Sequence, residues 1–167
     1  GKGTRMESDL PKVLVELKGR PMVRYLLDTL ASIEVDPIIV VGYEAELVKR
    51  ELGEGYRYAF QEEQLGTGHA VLQAENLVRK DTENIVVLYG DHPLVSTHMI
   101  QKLIETKGES TSPIALATTT VQDFEGWKGA FRRFGRVLRK RGKVEAIVEV
   151  RAESKYFVLR DTQLNEY

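Results

Sequence analysis

The sequence predicts an α/β fold built on a doubly wound, mostly parallel sheet, and three observations carry that prediction. Short runs rich in β-branched residues alternate with amphipathic stretches of helical spacing, as in strands joined by helical crossovers. The clearest of these runs are apolar nearly throughout, which suits strands covered by helices on both faces. The composition is also that of one soluble globular domain: 167 residues, 42% hydrophobic and 29% charged, with no cysteine and a formal net charge of −1.

The first helix is expected behind Pro21, where Met22, Val23, Leu26, Leu27 and Leu30 recur at i, i+3, i+4 spacing. Residues 37–42 (PIIVVG) then form the first clear strand, and a second helix runs over residues 44–52. A third helix follows Gly68, with Val71, Leu72 and Leu77 on its apolar side. Residues 85–89 (IVVLY) form the next strand, and a fourth helix starts at Ser96 with Met99, Ile100, Leu103 and Ile104 inward. Residues 114–120 (IALATTT) make the last of the parallel set. The character then changes, because residues 135–140 and 143–150 are two extended runs joined by Arg141-Gly142, a hairpin pattern.

A domain of this size buries roughly 70% of its unfolded surface, so one core is expected over residues 1–167. The absence of cysteine excludes a disulfide scaffold and metal-thiolate sites. No apolar run approaches the ~18 residues of a membrane span, and no charged-then-apolar leader opens the chain. A cytoplasmic protein is expected. With 24 basic and 25 acidic residues, neither nucleic acid nor a membrane is the expected main partner. Small-molecule chemistry is favoured, and self-association stays open.

Open sheets of this kind bind ligands in the crevice beyond the carboxyl ends of their strands, so motifs at strand ends matter most. The chain opens with Gly1-Lys2-Gly3-Thr4-Arg5-Met6, followed by Leu10-Pro11-Lys12. Two glycines let backbone N–H groups come close to an anion, and Arg5 and Lys12 add positive charge, which together would make a polyphosphate cradle. A frayed basic tail is the alternative for the first residues taken alone. The glycine spacing is not that of the G-x-x-x-x-G-K-[ST] phosphate loop.

Farther along, Gln61 precedes Gly66-Thr67-Gly68 after a short strand, and a glutamine amide offers donor and acceptor together to a base edge. A simple helix-entry turn is the alternative for these glycines. In Tyr89-Gly90-Asp91-His92-Pro93, an apolar run ends in an acid at the edge of the expected crevice. One such carboxylate suffices to nominate a Mg²⁺ site, because that ion takes one or two carboxylates plus phosphates and water. Asp91 capping a turn before Pro93 is the alternative. His69, His92 and His98 do not have metal-binding spacing.

The block GKGTRMESDLPKVLVELKGRPMVRYLLD resembles the opening signature of the sugar-phosphate nucleotidyltransferases, most specifically the uridyltransferase domain of the bacterial N-acetylglucosamine-1-phosphate uridyltransferases. QEEQLGTGHA, LYGDHPL, FGRV and IVE match further segments of that family, so the resemblance covers roughly residues 1–150. It implies a Rossmann-like fold of the nucleotide-diphospho-sugar transferase type, with the hairpin added for the sugar. The implied reaction joins UTP and N-acetylglucosamine 1-phosphate into UDP-N-acetylglucosamine and pyrophosphate, a step toward cell-wall peptidoglycan, with Mg²⁺ as cofactor.

The implied roles can be given residue by residue. Arg5 and Lys12 serve catalysis, and Gly1, Gly3, Thr4, Lys12, Gln61, Gly66 and Thr67 hold the nucleotide. Tyr89, Gly90, Gly135 and Glu149 meet the amino sugar, and Asp91 holds the metal. Phe134 departs from the family's usual tyrosine. Residues 132–143 carry seven basic side chains and no acid, which a nucleic-acid patch would also show; a solvated hairpin face is the preferred explanation.

The family's first strand, ending Leu-Ala-Ala-Gly, has no counterpart before Gly1, and its E-x-N-x-G segment has none in residues 151–167. A glycine loop needs a strand to deliver it, so residues before Gly1 and others near 151–163 are expected in the intact protein. Asn165 has no firm role. The second metal ligand and the acetyltransferase β-helix of bifunctional members also lack counterparts, and acetyl transfer is not expected. Two alternatives remain: a related pyrimidine nucleotidyltransferase using glucose 1-phosphate or dTTP, and a non-catalytic regulatory domain of the same fold.

Overall fold

Pro21 fixes an extended φ, ψ of −52°, 134° and lacks an N–H to satisfy, so the chain turns directly into α1, Met22–Ala31. Its five predicted apolar residues are all buried, each worth roughly 1.5–3 kcal/mol relative to exposure. A computed structural model describes residues 9–141 and 143–148 of the chain. Among them, α1 is shared by two apolar clusters where one core was expected. Val23 and Leu27 pack with Leu14, Val41, Ala45, Val48 and Leu52, whereas Leu26 and Leu30 pack with Ile100.

The expected run at 37–42 yields β1, Ile38–Val41, and the next helix is α2, Ala45–Leu52. Gly53 ends α2 at φ 91°, a left-handed value that favours glycine, and its N–H donates to the Lys49 carbonyl at 2.7 Å. The chain then returns as β2, Arg57–Phe60, parallel to β1 with Ile38 opposite Arg57 and Val41 opposite Phe60. A β–α–β unit results. Arg57 pins the start of β2, donating to the Leu77 carbonyl at 2.8 Å and to the Asp36 carboxylate at 3.1 Å.

The third helix, α3, spans Thr67–Gln73 and begins one residue before Gly68. Leu72 is exposed and Leu77 falls in a separate 3-10 turn, Glu75–Leu77, so the apolar side predicted there does not form. The helix is too short to carry that stripe across two turns. The fourth, α4, spans Thr97–Gly108, and Ser96 caps it by accepting from the Met99 N–H at 3.3 Å. Ile100 is buried, but Met99 and Ile104 point outward.

Residues 85–89 and 114–120 form no strands, contrary to expectation. A strand exists only when a neighbouring backbone takes its hydrogen bonds, and among the described residues the parallel ladder contains β1 and β2 alone. Ile85, Val87 and Tyr89 are exposed, whereas Leu88 packs against the Leu26–Leu30–Ile100 cluster. Leu88 alone of these residues packs inward, where burial on both faces was expected.

The described residues fall into two compact units, divided between Ala115 and Leu116. Every buried apolar side chain among the described residues lies in the first. In the second, β3, Arg136–Lys140, pairs antiparallel with β4, Lys143–Val148, with a register shift at Leu138/Arg139. Arg141 takes φ 51° in the two-residue turn, as a tight hairpin demands. A 3-10 segment, Gly126–Arg133, precedes the hairpin, and its Trp127, Phe131 and the following Phe134 meet ring edge to face. No helix among the described residues is long and apolar enough to cross a membrane.

Candidate active site

Pro11 is fully buried and Leu14 nearly so, which anchors the 3-10 turn Lys12–Leu14 at both ends. Lys12 is left half-exposed, and its ammonium donates to Asp91 Oδ2 at 2.5 Å. Asp91 comes from 79 positions farther along the chain, in a turn closed by the His92 N–H donating to the Tyr89 carbonyl at 3.0 Å. Gly90 makes the approach possible. A Cβ there would meet Val13 Cγ1 at 3.1 Å, so a side chain at position 90 would require Val13, the neighbour of Lys12, to give by a few tenths of an ångström.

Burial raises the Asp91 carboxyl, but the hydrogen bond and charge of Lys12, followed by the charge of His92, outweigh it and hold the group below the ordinary carboxylate range. Asp91 is thus an anion at neutral pH. Its Oδ1 lies 3.9 Å from His92 Nε2, and the His92 ring rests on that of Tyr89 with centroids 5.2 Å apart. The described residues contain no group of three or more His, Cys, Asp or Glu side chains that could hold a metal. A single hard oxygen donor of this kind fits Mg²⁺, which draws its other ligands from phosphate and water, and does not fit a metal that needs a protein cage.

A second group forms at the end of β2. The Gln61 N–H donates to the Val41 carbonyl at 2.7 Å, extending the parallel ladder by one residue. Gly42 clears the space, since a Cβ there would lie 2.9 Å from the Gln61 carbonyl oxygen. Gln61 Nε2 donates to the Gly66 carbonyl at 3.1 Å and also lies 3.1 Å from His69 Nδ1. Gly66 sits at φ 110°, a value that favours glycine, and Thr67 opens α3 directly after it. Gln61, Gly66 and Thr67, which the sequence grouped on chemistry, therefore share one loop. His69 and Gln73, whose amide nitrogen lies 3.1 Å from His69 Nε2, belong to the same cluster. Sequence reasoning passed over them because a histidine without metal spacing gives no signal of its own. The spacing of Gln61 and His69 across a glycine turn was the available clue.

Tyr89 and Gly90 stand beside the Lys12–Asp91 pair. Gly135 immediately precedes β3, and a Cβ there would make an ordinary van der Waals contact, 3.6 Å from the Val148 carbonyl oxygen. Arg136 donates to the carbonyls of Phe131, Arg132 and Phe134, which accounts for one charge of the basic stretch without a nucleic acid. Gly1, Gly3, Thr4, Arg5 and Glu149, and with them Asn165, lie outside the described residues.

The profile of a family described as the MobA-like NTP transferase domain matches residues 1–151. The chain is 41% identical to the "Bifunctional protein GlmU" of Heliobacterium modesticaldum over 170 residues, covering 100% of this chain and 36% of that protein. It is 42% identical to the "Bifunctional protein GlmU" of Oceanobacillus iheyensis over 151 residues, covering 89% of this chain and 32% of that protein. The chain thus spans about a third of the length of these curated relatives.

Proposed function

The chain belongs to the MobA-like NTP transferase domain family, and from that premise we propose that it acts in the cytoplasm as a sugar-1-phosphate uridylyltransferase. It joins UTP to N-acetylglucosamine 1-phosphate, forming UDP-N-acetylglucosamine and releasing pyrophosphate. The observation that carries this reading is the Lys12–Asp91 pair, a cation and an anion brought together from positions 79 residues apart beside a glycine turn.

The chemistry asks little of the protein beyond placement and charge. A phosphate monoester with a second pKa of about 6 is already an anion at neutral pH, so no general base is needed. The barrier lies in bringing that anion in line with the α-phosphate of UTP. At an effective dielectric near 20, a cation 4 Å from a phosphate is worth about 4 kcal/mol. Lys12 supplies such a charge, and Arg5 with the backbone of Gly1, Gly3 and Thr4 is proposed to extend it along the triphosphate. Asp91 would hold Mg²⁺, which when bound adds further positive charge at the transferring phosphoryl group.

Gln61, Gly66 and Thr67 face the base, and Tyr89, Gly90, Gly135 and Glu149 the amino sugar. The β1–α2–β2 unit is proposed as part of a doubly wound, Rossmann-like sheet, with the β3–β4 hairpin serving the sugar. One single transferase domain over residues 1–167 is the corresponding organisation.

Pyrophosphate release from UTP tests the reaction, and it should require both N-acetylglucosamine 1-phosphate and Mg²⁺. Faster turnover with glucose 1-phosphate would overturn the sugar assignment, and no release with any sugar phosphate would overturn the transferase.

A further inference from the structure

We propose that His69 is a positioning residue for base recognition, fixing the Gln61 amide so that it presents only an acceptor to the pyrimidine. The proposal rests on the reading of Gln61 as the base-facing side chain and adds the device that decides which base it takes.

The Gly66 carbonyl can only accept, so the Gln61 atom 3.1 Å from it is the amide nitrogen, which has two hydrogens. The same nitrogen lies 3.1 Å from His69 Nδ1, which takes the second hydrogen only if Nδ1 is the unprotonated ring nitrogen. Both hydrogens are then spent inside the loop. The His69 proton consequently sits on Nε2, where the Gln73 amide lies 3.1 Å away. The Gln73 nitrogen faces that atom and also donates to the His69 carbonyl at 3.4 Å; this tautomer requires the Gln73 amide to turn, giving up the longer bond so that its oxygen accepts from Nε2. What remains of Gln61 for a ligand is its oxygen.

An outward acceptor matches a base edge that carries a hydrogen at N3, as uracil and thymine do. Cytosine places a lone pair at the same atom, and the two lone pairs repel. Without His69 one amide hydrogen is free and the side chain can turn, so the same glutamine can donate to cytosine. Choice between uracil and cytosine is therefore written two steps from the base, in a histidine tautomer.

The test is calorimetric titration of the whole chain with UMP and with CMP, without turnover. Wild type should bind UMP more tightly than CMP, and His69→Leu should reduce that ratio by about tenfold, the effect of one hydrogen bond in a partly desolvated site. His69→Asn, whose amide oxygen can stand near the Nδ1 position, should keep the ratio within about threefold of wild type. In turnover, the leucine variant should raise KM for UTP with kcat nearly unchanged, which general unfolding would not do. An unchanged ratio in His69→Leu, or wild-type protein that binds both nucleotides equally, overturns the proposal. Absence of pyrophosphate release from UTP is a separate failure that strikes the transferase reading alone, because the nucleotide-binding ratio decides the role of His69 by itself.

Discussion

Residues 38–42 (IIVVG) and 85–90 (IVVLYG) are written in nearly the same chemistry, yet only the first is a strand. In the first, β2 lies parallel in register and takes the backbone hydrogen bonds, and Val41 is 5% exposed. In the second no described strand lies alongside, Leu88 alone packs inward, and Val87 is 48% exposed. An apolar run therefore states a capacity to be covered, and a partner decides whether the capacity is used. The ends of the two segments differ as well. Gly42 leads to the hydrogen-bonded loop of Gln61, whereas Gly90 leads to the charged pair of Asp91 and Lys12.

The comparison breaks most sharply at the charged end. Lys12→Ala is expected to lower kcat by roughly 100-fold or more, as loss of a cation acting in the transition state does. A near-normal kcat with only KM raised, measured by pyrophosphate release, would assign Lys12 to ground-state binding. The bodies of the two segments come next. Val41→Ala should cost about 1.5–3 kcal/mol in urea unfolding, whereas Val87→Ala should stay within about 0.5 kcal/mol. Equal losses would mean that residues 85–89 are covered as fully as β1.

The hydrogen-bonded end is expected to respond more gently. Gly42→Ala forces the Gln61 carbonyl to move from a contact of 2.9 Å, and a shift costing about 1 kcal/mol in base binding weakens UMP roughly fivefold. Titration of the folded variant with UMP checks this, and unchanged affinity would show that the loop absorbs the displacement.

Asp123 provides a control away from both segments. The hydrogen bond from Lys128, and then that from the Glu125 N–H, hold its carboxyl below the ordinary value. A carboxyl whose folded pKa lies below its unfolded one stabilises above the unfolded value, about 3.9, and loses that contribution as pH falls through the folded value. Asp123→Asn should thus be slightly less stable than wild type at pH 7, with the gap closing in acid; thermal melts at the two pH values read the sign. The effect is the smallest of the four because water screens the pair.

Much of this was legible in the sequence for reasons that differ by element. α1 could be read because five apolar residues repeat at helical spacing behind a proline, a pattern that needs no knowledge of the partner. The hairpin could be read from its two-residue turn. β2 was anticipated only as a short strand before Gly66, since Arg-Tyr-Ala-Phe buries Ala59 alone and has no alternation to detect. The strands expected at 85–89 and 114–120 were misjudged because pairing is a property of two segments and the pattern of one cannot report it. In the site, Lys12, Asp91, Gln61 and Gly66 could be nominated by residue type and position at element ends. The union of Lys12 with Asp91, and the ring of His69 behind Gln61, are tertiary facts with no sequence period.

The span of the Lys12–Asp91 pair also bears on the order in which the molecule gains its abilities during folding. Gln61 and His69 are eight positions apart, whereas Lys12 and Asp91 are separated by 79. Closing the longer loop costs about 2 kcal/mol more in chain entropy, and contacts of long sequence separation are slow to form. A refolding chain should therefore form the Gln61–His69 loop before the Lys12–Asp91 pair, and on the proposed function it would pass through a stage able to hold a nucleotide before it can transfer one.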